Sequence, residues 1–300
     1  MSIARTSKLV TMAQAAAMVA DGARIALGGL SVYQHPMAFA HELVRQGRRG
    51  LTSVGVLNGP ELDLLIGAGC VIRVETSYVG LEKFGLAPNF RRAVENGLVE
   101  AEFYSEMAAF DRFRASEDGL AFAVSKALAG TDVAAENPKI VPFDCPITGT
   151  RLSAFPSAEP DVAVIHAVAA DEYGNVLLPT RHLLPQSFDM IVARSTQTLI
   201  VTAERIISNA EVRRNPHLTG VPGFRVAAVV EAPYGAHPCH SLDANEIDDL
   251  HFAEYVEAAR SQAGFEAYLD RYVRGTSDHA GYLTEIGEGR LASLRSADAA

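Results

Sequence analysis

Cysteine is scarce in this chain of 300 residues. The three that occur, Cys70, Cys145 and Cys239, are odd in number and far apart, with no Cys-x-x-Cys. Neither a disulfide framework nor a thiolate zinc site follows from them, and a reducing compartment fits. Positive charge is also in short supply, with 26 Lys and Arg against 36 Asp and Glu and a formal net charge of −10. A nucleic-acid binder needs a basic face to displace counterions from phosphate, so the balance argues against that class. An anionic small ligand needs only a local basic group, and Arg45, Arg48, Arg49, Arg91, Arg92, Arg213 and Arg214 offer several. For any single pair, however, a solvated helix end is the preferred reading.

Long apolar runs are missing too. No stretch approaches the roughly 20 residues of a membrane span. The N-terminal segment, with only Arg5 and Lys8 and an Ala/Met tract broken by Gln14 and Asp21, lacks the apolar core of a signal peptide. The expectation is a cytoplasmic protein with no membrane contact. Gly-x-Gly-x-x-Gly, Gly-x-Ser-x-Gly and the Walker sequence are all absent, which leaves nucleotide-redox, serine-hydrolase and phosphoryl-transfer chemistry without support. His237-Pro-Cys-His240 holds two histidines, but Pro238 prevents their facing one another on a helix and no acidic residue has ligand spacing. No metal site is expected.

What is present is a soluble globular composition, 48% hydrophobic and 21% charged. Val162, Ala163, Val164 and Ile165 give no polar alternation, so they read as a strand buried on both faces, as in a parallel sheet. Pro160 and Asp161 start it, and Asp171, Gly174 and Asn175 supply the turn that stops it. Around it, strand and helix alternate with short connections. Strands are expected at 23–27, 51–57, 70–79, 99–104, 198–202 and 226–230, and helices at 11–19, 37–46, 60–66, 90–97, 106–115 and 186–196. Residues 119–142 read as a long covering excursion, and residues 249–274 as two packing helices. The pattern predicts one domain over residues 1–300: an open, mostly parallel, twisted α/β sheet with helices on both faces and a short flexible C-terminal tail.

Few residues carry candidate chemistry. Gly28-Gly29 closes a strand, where backbone N–H groups can approach a ligand oxygen; a tight strand-to-helix turn explains the pair equally well. His166 lies near a strand's carboxyl end and reads first as a hydrogen-bonded core or turn histidine. Glu95 sits beside a helix cap. Glu106 follows Tyr104-Ser105, with Ser105 as cap, at a strand end and just inside a helix, where the dipole stabilises a carboxylate.

The order and spacing of several segments resemble a known family. They include Ile25-Ala-Leu-Gly-Gly-Leu30, Leu65-Ile-Gly67, Phe90-Arg-Arg, Tyr104-Ser105, Val162-Ala-Val-Ile-His166, Glu204-Arg-Ile-Ile-Ser208, Val221-Pro-Gly223 and Ala232-Pro-Tyr-Gly-Ala-His-Pro238. Nearly end to end, the chain resembles the A (α-type) subunits of family I coenzyme A transferases, the glutaconate CoA-transferase type above all. The resemblance implies a Rossmann-like fold, a B-type partner chain, and a heterotetramer or larger assembly with the site between chains. It also implies acyl-CoA and carboxylate substrates, with coenzyme A a co-substrate and no cofactor bound permanently. A glutamate attacks the acyl-CoA carbonyl, and that residue belongs to the B-type chain, so this chain alone is expected to be inactive. Substrate and CoA contacts are implied at Gly28, Gly29, Ser31, Gly80 and Ser105. One alternative makes Glu106 the base of a ring-opening CoA-thioester hydrolase, a role needing its pKa raised by burial. Another is a non-enzymatic module binding a small anion.

Overall fold

The computed structural model describes residues 5–128, 130–178 and 184–296. Chain order runs from Arg24–Leu27 (β1) to helix Met37–Arg45 (α1), Leu51–Val54 (β2), helix Pro60–Gly67 (α2), Val71–Thr76 (β3) and Glu100–Phe103 (β4). Helix Glu106–Glu117 (α3), Val162–Asp171 (β5), helix Leu184–Arg194 (α4), Thr198–Ile207 (β6) and Val226–Glu231 (β7) follow. The seven labelled strands are parallel and lie in the order β7-β6-β5-β1-β2-β3-β4. Two short segments, Val176–Leu177 and Thr219–Val221, extend the sheet antiparallel from the carboxyl half of β5.

β5 is the hub. Val162 to Val164 pair with Ile25 to Leu27 on one side, and β6 runs beside β5 from Val162 to Asp171 on the other. Because β5 has neighbours on both edges and helices on both faces, an unbroken apolar run suits it. Ile25, Leu27, Phe39, Leu43, Leu64 and Leu65 pack on one face with the C-terminal helices, and Ala26, Phe113, Phe155, Ile165, Phe188 and Val192 pack on the other. The expected parallel sheet with helices on both faces is what the chain forms.

Helix starts follow local chemistry. Pro60 and Pro88 occupy first-turn positions, where a missing N–H costs nothing. Ser105 caps α3 by accepting from the Ala108 N–H at 3.3 Å. Thr11 and Gln14 form a capping box, but that helix, Met12–Ala16, stops short of Val19.

Three expectations need correction. The excursion over 119–142 is the start of a second sheet: Phe122–Ser125, Arg151–Pro156 and Val141–Asp144 pair antiparallel, with Arg151–Pro156 in the middle. Pro142 obscured the pattern, yet on an edge strand its missing donor removes no ladder bond. The strands expected over 51–57 and 70–79 each break, and Leu57–Asn58 pairs instead with Tyr78–Val79. At the C-terminus, Asp249–Ala259 and Gln262–Leu269 are the two expected helices, but His279–Ile286 and Glu288–Ser293 are helical where a flexible tail was expected. Residues 297–300 of that tail lie outside the described residues.

Candidate active site

From β1 the sheet grows one way to β4 and from β5 the other way to β7, so the strand order reverses between β1 and β5. Open α/β sheets bind ligands outside the carboxyl ends of the strands at such a point. The loops after β1, β2 and β3, His166 on β5 and Glu204 on β6 belong to that edge.

Gly28 and Gly29 follow β1 as expected, but their N–H groups do not face a ligand. Gly28 donates to the Val164 carbonyl at 2.7 Å, and Gly29 donates to Asp189 Oδ1 at 2.7 Å. The oxyanion-hole expectation therefore fails within this chain, because both donors are already used. Glycine is required for space instead. A Cβ on Gly28 would lie 2.3 Å from Asp189 Oδ1, and Gly29 has φ +88° with the His35 and Tyr33 backbone 2.6 Å from its missing Cβ. Asp189, on α4, is 5% exposed. Burial pushes its carboxyl up to about 8 against the pull of the Gly29 N–H, so it is protonated at neutral pH.

Ser31 also has positive φ (58°) and is buried. Its N–H donates to the Leu57 carbonyl at 2.9 Å, and its own carbonyl lies 3.1 Å from His35 Nε2. His35 Nδ1 is 3.1 Å from Glu61 Oε2, at an angle that makes the contact electrostatic rather than a good hydrogen bond. Glu61, fully buried at the start of α2, accepts from the Gly59 N–H and from Asn58 Nδ2, while Thr76 Oγ1 donates to Asn58 Oδ1. These bonds brace the first three loops against one another. Gly80 belongs to the same brace: its N–H donates to the Asn58 carbonyl at 3.2 Å, and a Cβ would lie 2.0 Å from the Tyr78 hydroxyl.

His166 is a core histidine. Its Nδ1 lies 2.9 Å from Thr202 Oγ1 and its Nε2 2.9 Å from Glu204 Oε1. Glu204 accepts in addition from the Tyr234 N–H at 2.6 Å and from Asn245 Nδ2 at 3.2 Å. The pair thus ties the Ala232-to-Pro238 loop to the strand ends, and Gly235 is needed because His166 Cε1 would stand 2.7 Å from its Cβ. His237 faces Tyr282 at 2.6 Å and Asp248 at 3.0 Å, away from His240, whose ring meets Tyr33 edge-on.

Ser105 and Glu106 lie at the end of β4, on the far edge of the sheet from Glu204. Glu106 is exposed at the first position of α3, so this chain does not supply the burial that a base at this position would require. Glu95 is exposed as well, in an ion pair with Arg91 at 2.8 Å. Asp189, Glu61, Asn58 and Gln34, whose Nε2 donates to the His166 carbonyl at 3.2 Å, carry much of the edge and were not singled out from sequence. Only Asn58, in a turn beside glycine, left a local signal.

A parallel sheet wound both ways from its switch point, with braced loops there and no glycine fingerprint, defines an open, doubly wound α/β chain. The family model for coenzyme A transferase matches residues 9–232. This chain belongs to that family. It is 35% identical to the A chain of the 3-oxoadipate CoA-transferase of Pseudomonas knackmussii, over 95% of this chain and all of that one. It is 33% identical to the A chain of the glutaconate CoA-transferase of Acidaminococcus fermentans, over 96% of this chain and 95% of its relative. The crystal structure of the latter enzyme superposes with a TM-score of 0.91, at 32% identity over 97% of this chain and 96% of that one. A protein of Archaeoglobus fulgidus is 37% identical over 92% of this chain, which spans only 62% of its length. No helix among the described residues is long and apolar enough to cross a membrane.

Proposed function

We propose that this chain is the A-type component of a heteromeric CoA-transferase moving CoA between an acyl-CoA and a carboxylic acid of the dicarboxylate or 3-oxo acid class. Its partner is a B-type chain in a heterotetramer or larger assembly, and CoA is a co-substrate. The likeness to two A-type chains over nearly the whole length of each supports this reading most directly. Local geometry supports the division of labour. The buried acidic groups at the carboxyl edge are already committed: Glu61 to Asn58 and Gly59, Glu204 to His166, Tyr234 and Asn245, while Asp189, bonded to Gly29, is held in its neutral form. A carboxylate that attacks a thioester must present a free oxygen to it, so these are bracing groups and the nucleophile belongs to the partner.

In this reading the braced loops, packed tightly together through Gly28, Gly29 and Gly80, form a rigid wall against which the acyl-CoA is held. Ser31 lies at the bend between them, and Ser105 flanks the wall at the end of β4. The partner carboxylate, ionised at neutral pH, attacks the thioester carbonyl without a general base. The CoA thiolate expelled in that attack adds to the glutamyl carbonyl of the mixed anhydride, which releases the donor acid as its carboxylate and holds CoA as a glutamyl thioester. The acceptor carboxylate then attacks this thioester, and the thiolate expelled takes the acceptor acyl group from the second anhydride, freeing the glutamate. The test is coexpression with the B-type chain and an acyl-exchange assay, with hydroxylamine trapping in the presence of acyl-CoA. Exchange by the complex alone, with the trapped label on the partner, is the expected result. Exchange by this chain without a partner, or a label on this chain, refutes the assignment.

A further inference from the structure

The three-stranded sheet of residues 122–156 has two apolar faces. Ala123 and Phe155, a cross-strand pair, turn inward and pack in the core with Phe113. The opposite alternation sets Phe122 beside Pro156, Val124 and Val141 on either side of Ala154, and Phe143 beside Leu152. Every one of these outward positions is apolar, whereas the polar Ser125 and Ser153 belong to the inward set. Phe122 is 53% exposed, Val124 42% and Val141 55%. An antiparallel sheet with one solvated face ordinarily places polar residues on it. Here the pattern is that of a face covered in the working assembly.

The sheet also has a direction. Its Pro156 end is anchored at the amino edge of the main sheet, where the Ala158 N–H donates to the Arg112 carbonyl and Arg24 Nη2 donates to the Ala158 carbonyl at 2.8 Å. From there Arg151–Pro156 leads away over about 20 Å at ~3.3 Å per residue. Beyond its far end, in the turn that joins it to Val141–Asp144, Ile147 is 90% exposed.

We propose that this outer face docks the B-type partner chain, an inference that rests on the A-type role proposed above. With Ile147 the face offers on the order of 400 Å² of apolar surface, the size of the largest and often functional patch on a typical monomer. One side of a standard interface buries roughly 800 Å², a little over half of it apolar, so the patch is sufficient for a stable dimer. A second copy of this chain would bring two net charges of −10 together, a repulsion that disfavours self-association through this face.

The test replaces Val124 and Val141 together with lysine, and separately with threonine, which keeps a β-branched side chain if the lysines disturb the fold. Leu250→Lys, at a position 75% exposed on a C-terminal helix, is the control. Each chain is mixed with the B-type chain, affinity is titrated, and mass is measured by light scattering, with circular dichroism confirming the fold. The lysine pair is expected to weaken association by about 100-fold or more, through two charges buried without partners. Threonine should weaken it by a smaller factor, and Leu250→Lys should not. Wild-type affinity in both double variants overturns the proposal. So does a homodimer of this chain that the substitutions split, since a second copy would then be the occupant. A complex that depends on this face yet transfers no CoA refutes the activity and leaves the docking surface standing. An active complex indifferent to the substitutions does the reverse, and failure of the wild-type chains to associate refutes both.

Discussion

Asp189→Asn should stabilise this protein, and the gain should depend on pH. The amide keeps the Oδ1 acceptor that Gly29 uses at 2.7 Å, and it removes only the ionisation. In the fold the carboxyl titrates near 8, against an ordinary value of 3.8. Between those values the unfolded chain gives up a proton that the folded chain retains, so stability falls as pH rises from about 4 to about 8 and levels off above that. At pH 7 the cost of keeping Asp189 neutral approaches 1.36 kcal/mol per pH unit over about 3 units, or about 4 kcal/mol, whereas at pH 4 it is below about 1 kcal/mol. The amide variant is free of that cost. With an unfolding entropy of ~2.1 cal/mol/K per residue, a gain of about 2 to 4 kcal/mol raises the melting temperature by about 3 to 6 °C at pH 7. Calorimetry of wild type and variant at pH 4 and pH 7 checks this. The same difference at both pH values, or a variant less stable at pH 7, refutes the reasoning.

Other expectations follow from contacts of the same kind. Gly59→Ala places a Cβ 1.8 Å from the Ser31 carbonyl oxygen, which is backbone and cannot swing aside; a loss of about 3 kcal/mol or more, or an insoluble chain, is expected in denaturant titration. His251 is fully buried, with its titration pushed down to about 3 chiefly by burial and then by His237. The unfolded chain alone takes up that proton below about pH 6.5, so stability falls on acidification, by about 1.4 kcal/mol per pH unit from this group. His251→Phe should flatten the fall of the melting temperature between pH 6 and pH 4, opposite in sign to the Asp189 effect. Glu106→Gln should leave acyl exchange by the complex within about threefold, because the residue is an exposed helix start; a loss of 100-fold or more would instead place Glu106 in the reacting site.

Much of the framework is legible from local chemistry. Pro60 and Ser105 mark helix starts because each meets the needs of a first turn by itself, whatever packs nearby. Val162 to Ile165 declare a doubly covered strand because they offer no polar face. The second sheet escaped because strands of four and six residues, with Pro142 on the edge, are too short for a period to stand out. The loop braces escaped because their partners are distant in the chain: 160 residues separate Gly29 from Asp189, and 41 separate Glu204 from Asn245.

By itself, then, the amino-acid order determined the alternation of strand and helix, the sheet's parallel character and the kinship with A-type CoA-transferase chains. Those depend on side-chain period, turn residues and ordered motifs, all of which are short-range. Tertiary structure alone decided what Gly28 and Gly29 are for. A glycine pair after a strand is compatible with an oxyanion hole or with close packing, and the choice turned on a carboxyl brought in by a helix far along the chain. Folding placed Asp189 against the Gly29 N–H, so the donor is used and the pair serves as space. It likewise turned seven scattered apolar residues into one outward face, because register, not sequence proximity, sets which side chains share a side.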